Sequence, residues 1–140
     1  MQLNPYLNFN GTCEAAFKFY EQVLSGKIIF MQTWGDSPAC EMMPAESQQS
    51  IMHATLNIGE GLLMGADVSP DRYEKPAGIS VSIHVKDKAE GERIFIALAE
   101  GGNVGMPFQP TFWAAGFGMC TDRFGIPWMV NCEGTSASAD

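Results

Sequence analysis

Two stretches of the chain, 3–26 and 79–102, lie over each other without a gap at an offset of 76 residues. Leu3 meets Ile79, Leu7 meets Ile83, Phe9 meets Val85, Glu14 meets Glu90, Phe19 meets Phe95 and Gly26 meets Gly102. The identities are few. What the stretches share is order: an alternating apolar run, a helical pattern, and a glycine where the helix must stop. Toward the ends of the halves the offset falls to 66, with Gly59 on Gly125 and Leu62 on Trp128. Such a chain is expected to fold as two copies of one supersecondary unit sharing a single domain, for which 140 residues suffice.

Periodicity fills in the units. Residues 3–9 alternate as a strand, and Thr12 is placed to cap a helix over 13–24. Ala16, Phe19, Tyr20 and Val23 then share one helical face. A strand at 27–34, a loop at 35–50 and a hairpin of 51–58 with 61–67 complete the first half. A polar, proline-bearing linker covers 68–78. The second half repeats the order: a strand at 79–85, Asp87 as N-cap, and a helix at 88–100 with Ile94, Phe95 and Leu98 inward. Short strands follow near 103–106, 114–121 and 126–132. The expected organisation is a first βαβββ module at 1–67, the linker, a second module at 79–133 and a fraying tail at 134–140.

Composition removes several functions. Eight basic and 16 acidic residues leave a net charge of −8, which argues against nucleic acid as a partner. No apolar run approaches the length of a membrane span, and MQLNPYLNFNG lacks the basic and apolar regions of a signal peptide. Cys13, Cys40, Cys120 and Cys132 form no C-x-x-C pair and are expected to be reduced, mostly buried thiols of a cytoplasmic protein. Nucleotide-loop, zinc-protease, nucleophile-elbow and EF-hand motifs are all absent. Gly116-Phe117-Gly118 reads as relief of crowding in a strand, and Asp122-Arg123-Phe124-Gly125 as a turn before Trp128.

The candidate site comes from strand faces. Tyr6 alternates with Leu7 and Phe9, while Ser82 and His84 alternate with Val81, Ile83 and Val85. The apolar faces call for helices; the polar faces are either ordinary solvated sheet or the lining of a ligand cleft. His53 and His84 are either strand histidines with a satisfied hydrogen bond or cavity residues acting as acid, base or ligand. Trp34, Met64, Phe112, Trp113 and Met129 are available as apolar walls. Cys120, with no neighbouring cation or histidine in sequence, reads as structural.

The segments F-x-F-Y-x-x-V-L-x-G at 17–26 and D-x-F-G-x-x-W at 122–128 resemble the vicinal oxygen chelate superfamily, which holds glyoxalase I, extradiol dioxygenases and bleomycin-resistance proteins. P-Y-L-x-F-x-G at 5–11, I-M-H-A-x-L-x-I-G at 51–59 and Phe112-Trp113 resemble its PhnB-like branch. The resemblance runs over about 3–132. It implies an α+β fold: two βαβββ modules forming an open, curved mixed β-barrel or cleft, with helices outside. It also implies a bacterial homodimer. The metal-dependent members carry inward His, Gln or Glu ligands on the first and fourth strand of each module. Lining up Phe9 and Val85 with the family's outward apolar positions implies Asn4 and Ser80 on the first strands and Leu63 and Met129 on the fourth, pairs that also obey the offsets above, with Pro5 in place of Asn4 if the first strand is displaced by one. Leu63, Ser80, Met129 and Pro5 are not usual divalent-metal ligands, so neither a metal nor another cofactor is expected.

The function expected is therefore binding of an unidentified small molecule in the cleft by Tyr6, His53, Ser82, His84, Trp113 and Met129, with His53 as the directional contact. Two alternatives stand beside it. One is a metal-dependent lyase, isomerase or dioxygenase with non-standard ligands; the other is a scaffold protein with no cavity. The acidity fits a cationic ligand as in the bleomycin precedent, and it is also ordinary for a bacterial protein.

Overall fold

The computed structural model describes residues 1–134; apart from Gly134, the expected tail lies outside the described residues. The chain divides between Glu74 and Lys75, inside the linker segment. The first unit runs β1 (Tyr6–Phe9), α1 (Cys13–Val23), β2 (Lys27–Thr33), β3 (Ile51–Ile58) and β4 (Gly61–Asp67). The second runs β5 (Val81–Val85), α2 (Lys88–Ala99), β6 (Asn103–Gln109), β7 (Gly116–Thr121) and β8 (Pro127–Cys132). Each unit is a four-stranded mixed sheet with one helix, ordered β1-β4-β3-β2 in the first and β5-β8-β7-β6 in the second. In each the first strand joins the fourth in parallel, and the remaining pairs are antiparallel.

The opening strands are shorter than alternation predicts. Pro5 has no N–H to give a ladder, so β1 begins at Tyr6 and Leu3 stands exposed. Gly78 takes a positive φ of 75°, and β5 starts only at Val81, with Ile79 exposed. Conversely, β6 runs on to Gln109, and two register shifts bend it against β7. The 35–50 segment holds two short 3-10 turns, Cys40–Met42 and Ala45–Ser47.

The helix faces overturn one pairing of the gapless overlay. In α1 the buried residues are Cys13, Ala16, Phe17, Tyr20 and Val23, whereas Phe19 is half-buried. In α2 they are Gly91, Ile94, Phe95 and Leu98. Burial thus pairs Phe17, not Phe19, with Phe95. A helix face repeats every 3.6 residues, so a shift of two positions turns the core side toward water. Phe17 and Phe95 each lie over a strand glycine. A Cβ on Gly65 would come within 2.9 Å of the Phe17 ring, and one on Gly118 within 2.6 Å of Phe95. Gly116 is likewise closed off by the Phe108 ring.

Capping differs as well. Neither Thr12 nor Asp87 makes a side-chain cap. The α1 N-terminus is served from afar by Asp67 at the end of β4, whose Oδ1 accepts the Cys13 N–H at 3.0 Å. Its Oδ2 accepts the Ile51 N–H at 2.9 Å, so one carboxylate ties helix, β3 and β4 together. In the second unit Asp122 instead organises the turn between β7 and β8. Its Oδ1 accepts the Phe124 and Ile126 N–H groups and its Oδ2 accepts the Trp128 indole N–H at 2.8 Å. That, with Gly125 at φ 92°, is what D-x-F-G-x-x-W encodes.

Candidate functional site

Each sheet has one face under its helix and one turned away from it. On the first, Leu7, Phe9, Ala54, Leu56 and Leu63 are buried on the helix side. The alternate residues, Tyr6 on β1, His53 and Thr55 on β3, and Met64 on β4, make up the other face, with Met64 opposite both Tyr6 and Thr55. The Tyr6 hydroxyl lies 3.0 Å from His53 Nδ1, and His53 Nε2 lies 3.0 Å from Thr55 Oγ1. Both ring nitrogens are therefore engaged, one donating and one accepting when the imidazole is neutral. The Tyr6 and Phe30 rings flank the imidazole, with centroids at 5.5 and 5.8 Å. A bulge between Ile28 and Phe30 sets Phe30 opposite Thr55 and so onto this face. Burial, reinforced by the Cys13 thiol charge, pushes the Tyr6 phenol above its ordinary range, so it stays a protonated hydroxyl at neutral pH.

On the second sheet Ser82, His84, Met129 and Asn131 share the face away from α2. Ser82 Oγ is 3.1 Å from His84 Nε2, and Asn131 Nδ2 is 3.4 Å from His84 Nδ1. Met129 lies opposite both Ser82 and Met119. Phe117, opposite Asn131, carries Trp113 edge-on at 5.4 Å, and Phe112 meets Trp113 at 4.8 Å. A recess of about 170 Å³ adjoins this face against Ser80, Met119, Thr121 and Pro127.

The six residues singled out by sequence thus fall into two groups. Tyr6 and His53 are bonded to each other on the first sheet. Ser82, His84 and Met129 are neighbours on the second, with Trp113 reaching that face through Phe117. Sequence reasoning missed Thr55, Asn131 and Phe30. The first two lie two residues beyond His53 and Met129, so strict alternation would have found them; Phe30 depends on the bulge. The expected ligand positions need correction. Asn4 and Ser80 precede β1 and β5, so neither stands in a first strand. Leu63 is buried on the helix side, and the register partner of Tyr6 is Met64, just as Met129 is the partner of Ser82. The offset between these strands is therefore one less than the glycine match gave.

The donors on these faces do not fit a divalent metal. At the paired positions Tyr6 and Met64, Ser82 and Met129, the side chains are a phenol, a hydroxyl and two thioethers, and each histidine already has both nitrogens in hydrogen bonds. Among the described residues no three His, Cys, Asp or Glu side chains gather to hold an ion. All four cysteines are unpaired, and only Cys40 is not fully buried. Burial, with the charges of Asp67 and Glu14, raises the Cys13 thiol, while burial with the Asp122 charge pushes Cys120 up to about 11. Neither is a thiolate nucleophile at neutral pH.

Two mixed β-α-β-β-β units make an α+β protein of the glyoxalase and bleomycin-resistance fold. A glyoxylase/bleomycin resistance protein/dioxygenase domain from Frankia shares that fold at TM-score 0.63 and 11% identity, over 96% of this chain and 98% of its own. The chain belongs to the family described as 3-demethylubiquinone-9 3-methyltransferase, which it matches over residues 1–131. Protein YjdN of Escherichia coli is 34% identical over 139 residues, covering 94% of this chain and 95% of that protein. The crystal structure of PA1353 from Pseudomonas aeruginosa is similar at TM-score 0.88 and 54% identity, over 95% of this chain and 98% of that one. A PhnB protein from Bacillus cereus shares the fold at TM-score 0.78 and 20% identity, over 94% and 99% of the two chains. Membership settles the fold; the chemistry rests with the residues. None of the helices among the described residues is long and apolar enough to cross a membrane.

Proposed function

We propose that the protein binds a small amphipathic molecule without a divalent metal. Tyr6 and His53 supply the polar contact on the first sheet, and Ser82, His84, Trp113 and Met129 offer a similar surface on the second. The observation that carries this reading is the Tyr6–His53–Thr55 chain. Both nitrogens of His53 are occupied, so metal coordination would break an existing bond. The ring's service is to hold the Tyr6 hydroxyl in one orientation, and Tyr6 is 46% exposed. A fixed phenol hydroxyl beside the Phe30 ring suits a ligand with an apolar body and one directed polar group. The protein acts as a homodimer in the cytoplasm, where its unpaired thiols are at home.

The test is a thermal-shift screen with small uncharged phenols, because a ligand that prefers the folded state raises Tm. A compound that stabilises the wild type should bind about two- to tenfold more weakly to Tyr6→Phe, the loss of one neutral hydrogen bond. Stoichiometric zinc, nickel, manganese or iron in untagged protein refutes the metal-free part. A panel that shifts no Tm, or binding indifferent to both Tyr6→Phe and His53→Ala, refutes the site. A monomeric native mass refutes the dimer.

A further inference from the structure

We propose that a second cavity, lined only by residues of the first unit, takes an organic cation: a primary ammonium group on an apolar body. It lies at the end of the first sheet where β1, β2 and β4 stop and β3 begins, and it shares no residue with the Tyr6–His53–Thr55 chain. Its volume is about 480 Å³, within the range of small-molecule sites. Trp34, Met43, Pro44, Val68 and Pro70 give it apolar walls, while Glu46, Asp67 and Asp71 are its charged residues. No lysine, arginine or histidine lines it. Among the described residues no cation pairs with any of the three carboxylates.

The wall is organised without a ligand. Trp34 N–H donates to Ser50 O at 3.0 Å and Gly35 N–H to Gln48 O at 2.8 Å, closing the loop at its base. The Gln48 side chain donates to Cys40 O at 2.8 Å and to Met43 O at 3.0 Å, which holds the Met43–Pro44 corner. Asp67 is fixed by its two backbone hydrogen bonds, so a negative charge is immobilised at the floor. Glu46 and Asp71 are exposed at the rim. A cavity with an aromatic wall, no basic side chain in its lining and two carboxylates at its rim selects a cation that can also bury apolar surface. A bare metal ion is disfavoured, since the carboxylates do not gather as a ligand set and Asp67 is already engaged.

The probe is 2-phenylethylamine, compared with the neutral 2-phenylethanol and the anionic 3-phenylpropionate, titrated at neutral pH by calorimetry and by tryptophan fluorescence. The amine should bind saturably and more tightly than the alcohol, and the acid should not bind. Asp71→Asn and Glu46→Gln should each weaken the amine about two- to fivefold, as expected of exposed ion pairs, with the effect shrinking in salt. Trp34→Phe should remove the fluorescence response. His53→Ala should leave amine binding unchanged, which separates this cavity from the sheet-face site. The proposal is overturned by equal affinity for amine and alcohol, by binding that ignores both rim variants, or by no saturation up to about 10 mM amine. Because both rim residues are exposed, their variants keep the fold, and far-UV circular dichroism checks that they do.

Discussion

Replacing Asp122 by Asn changes one atom and should cost a large share of the second module's stability. Asp122 is 3% exposed and accepts three N–H groups, two on Oδ1 and the Trp128 indole on Oδ2. An asparagine has one acceptor oxygen. If it keeps the two backbone bonds, its amide NH2 faces the indole N–H, donor against donor. The lost hydrogen bond to a charged acceptor is worth about 1.5–3 kcal/mol, so Asp122→Asn should destabilise by at least about that much. Trp128→Phe removes the same bond from the other side. In the Trp128→Phe background the cost of Asp122→Asn should therefore fall by about 1.5–3 kcal/mol. The assay is urea unfolding followed by far-UV circular dichroism on the four proteins of the cycle. Additivity within about 0.5 kcal/mol would mean that the indole and the carboxylate are not coupled, and the account of the D-x-F-G-x-x-W turn would be wrong.

Two further outcomes follow from packing and titration. Gly118→Ala should cost about 1–3 kcal/mol, because its Cβ would stand 2.6 Å from the Phe95 ring and 3.0 Å from the Phe108 backbone; a urea midpoint equal to wild type would sink that reasoning. The raised thiols of Cys13 and Cys120 should make stability fall in alkali. The unfolded chain loses those protons first, so the Cys120 contribution is complete below about pH 9 and is lost as pH rises toward about 11, while that of Cys13, which is raised further, is lost at higher pH. Cys120→Ala should flatten the decline between those limits, and an identical pH profile for the variant would refute the assignment. In the same window native alkylation should mark Cys40 before Cys13 or Cys120, read by peptide mass spectrometry.

Much of the fold was legible because strands and helices carry their period in the residues themselves. The 51–58 and 61–67 hairpin matches β3 and β4 residue for residue, since turn glycine and alternation both mark its ends. Ile94, Phe95 and Leu98 were legible as the inner face of α2 for the same reason. Where two helical registers share residues, periodicity cannot choose between them: 13, 16, 17, 20 has the same spacing as 16, 19, 20, 23. In α1 it favoured Phe19, and the strand glycine beneath Phe17 decided otherwise. The site was legible as faces and not as contacts. Tyr6 and His53 are 47 residues apart, and nothing local in the sequence joins them.

By itself, then, the sequence determined the repeated β-α-β-β-β order, the hairpin, the separation of polar from apolar strand faces and the family, because these depend on residue type at short spacing. Only the tertiary structure decided which residues meet. It placed Met64 rather than Leu63 opposite Tyr6, because register depends on how two strands pair. It moved the α1 cap from Thr12 to Asp67, because an orphan N–H accepts whichever carboxylate folding brings within reach. It also gathered Trp34, Glu46 and Asp71 around one cavity, where segments distant in sequence converge at the end of a sheet.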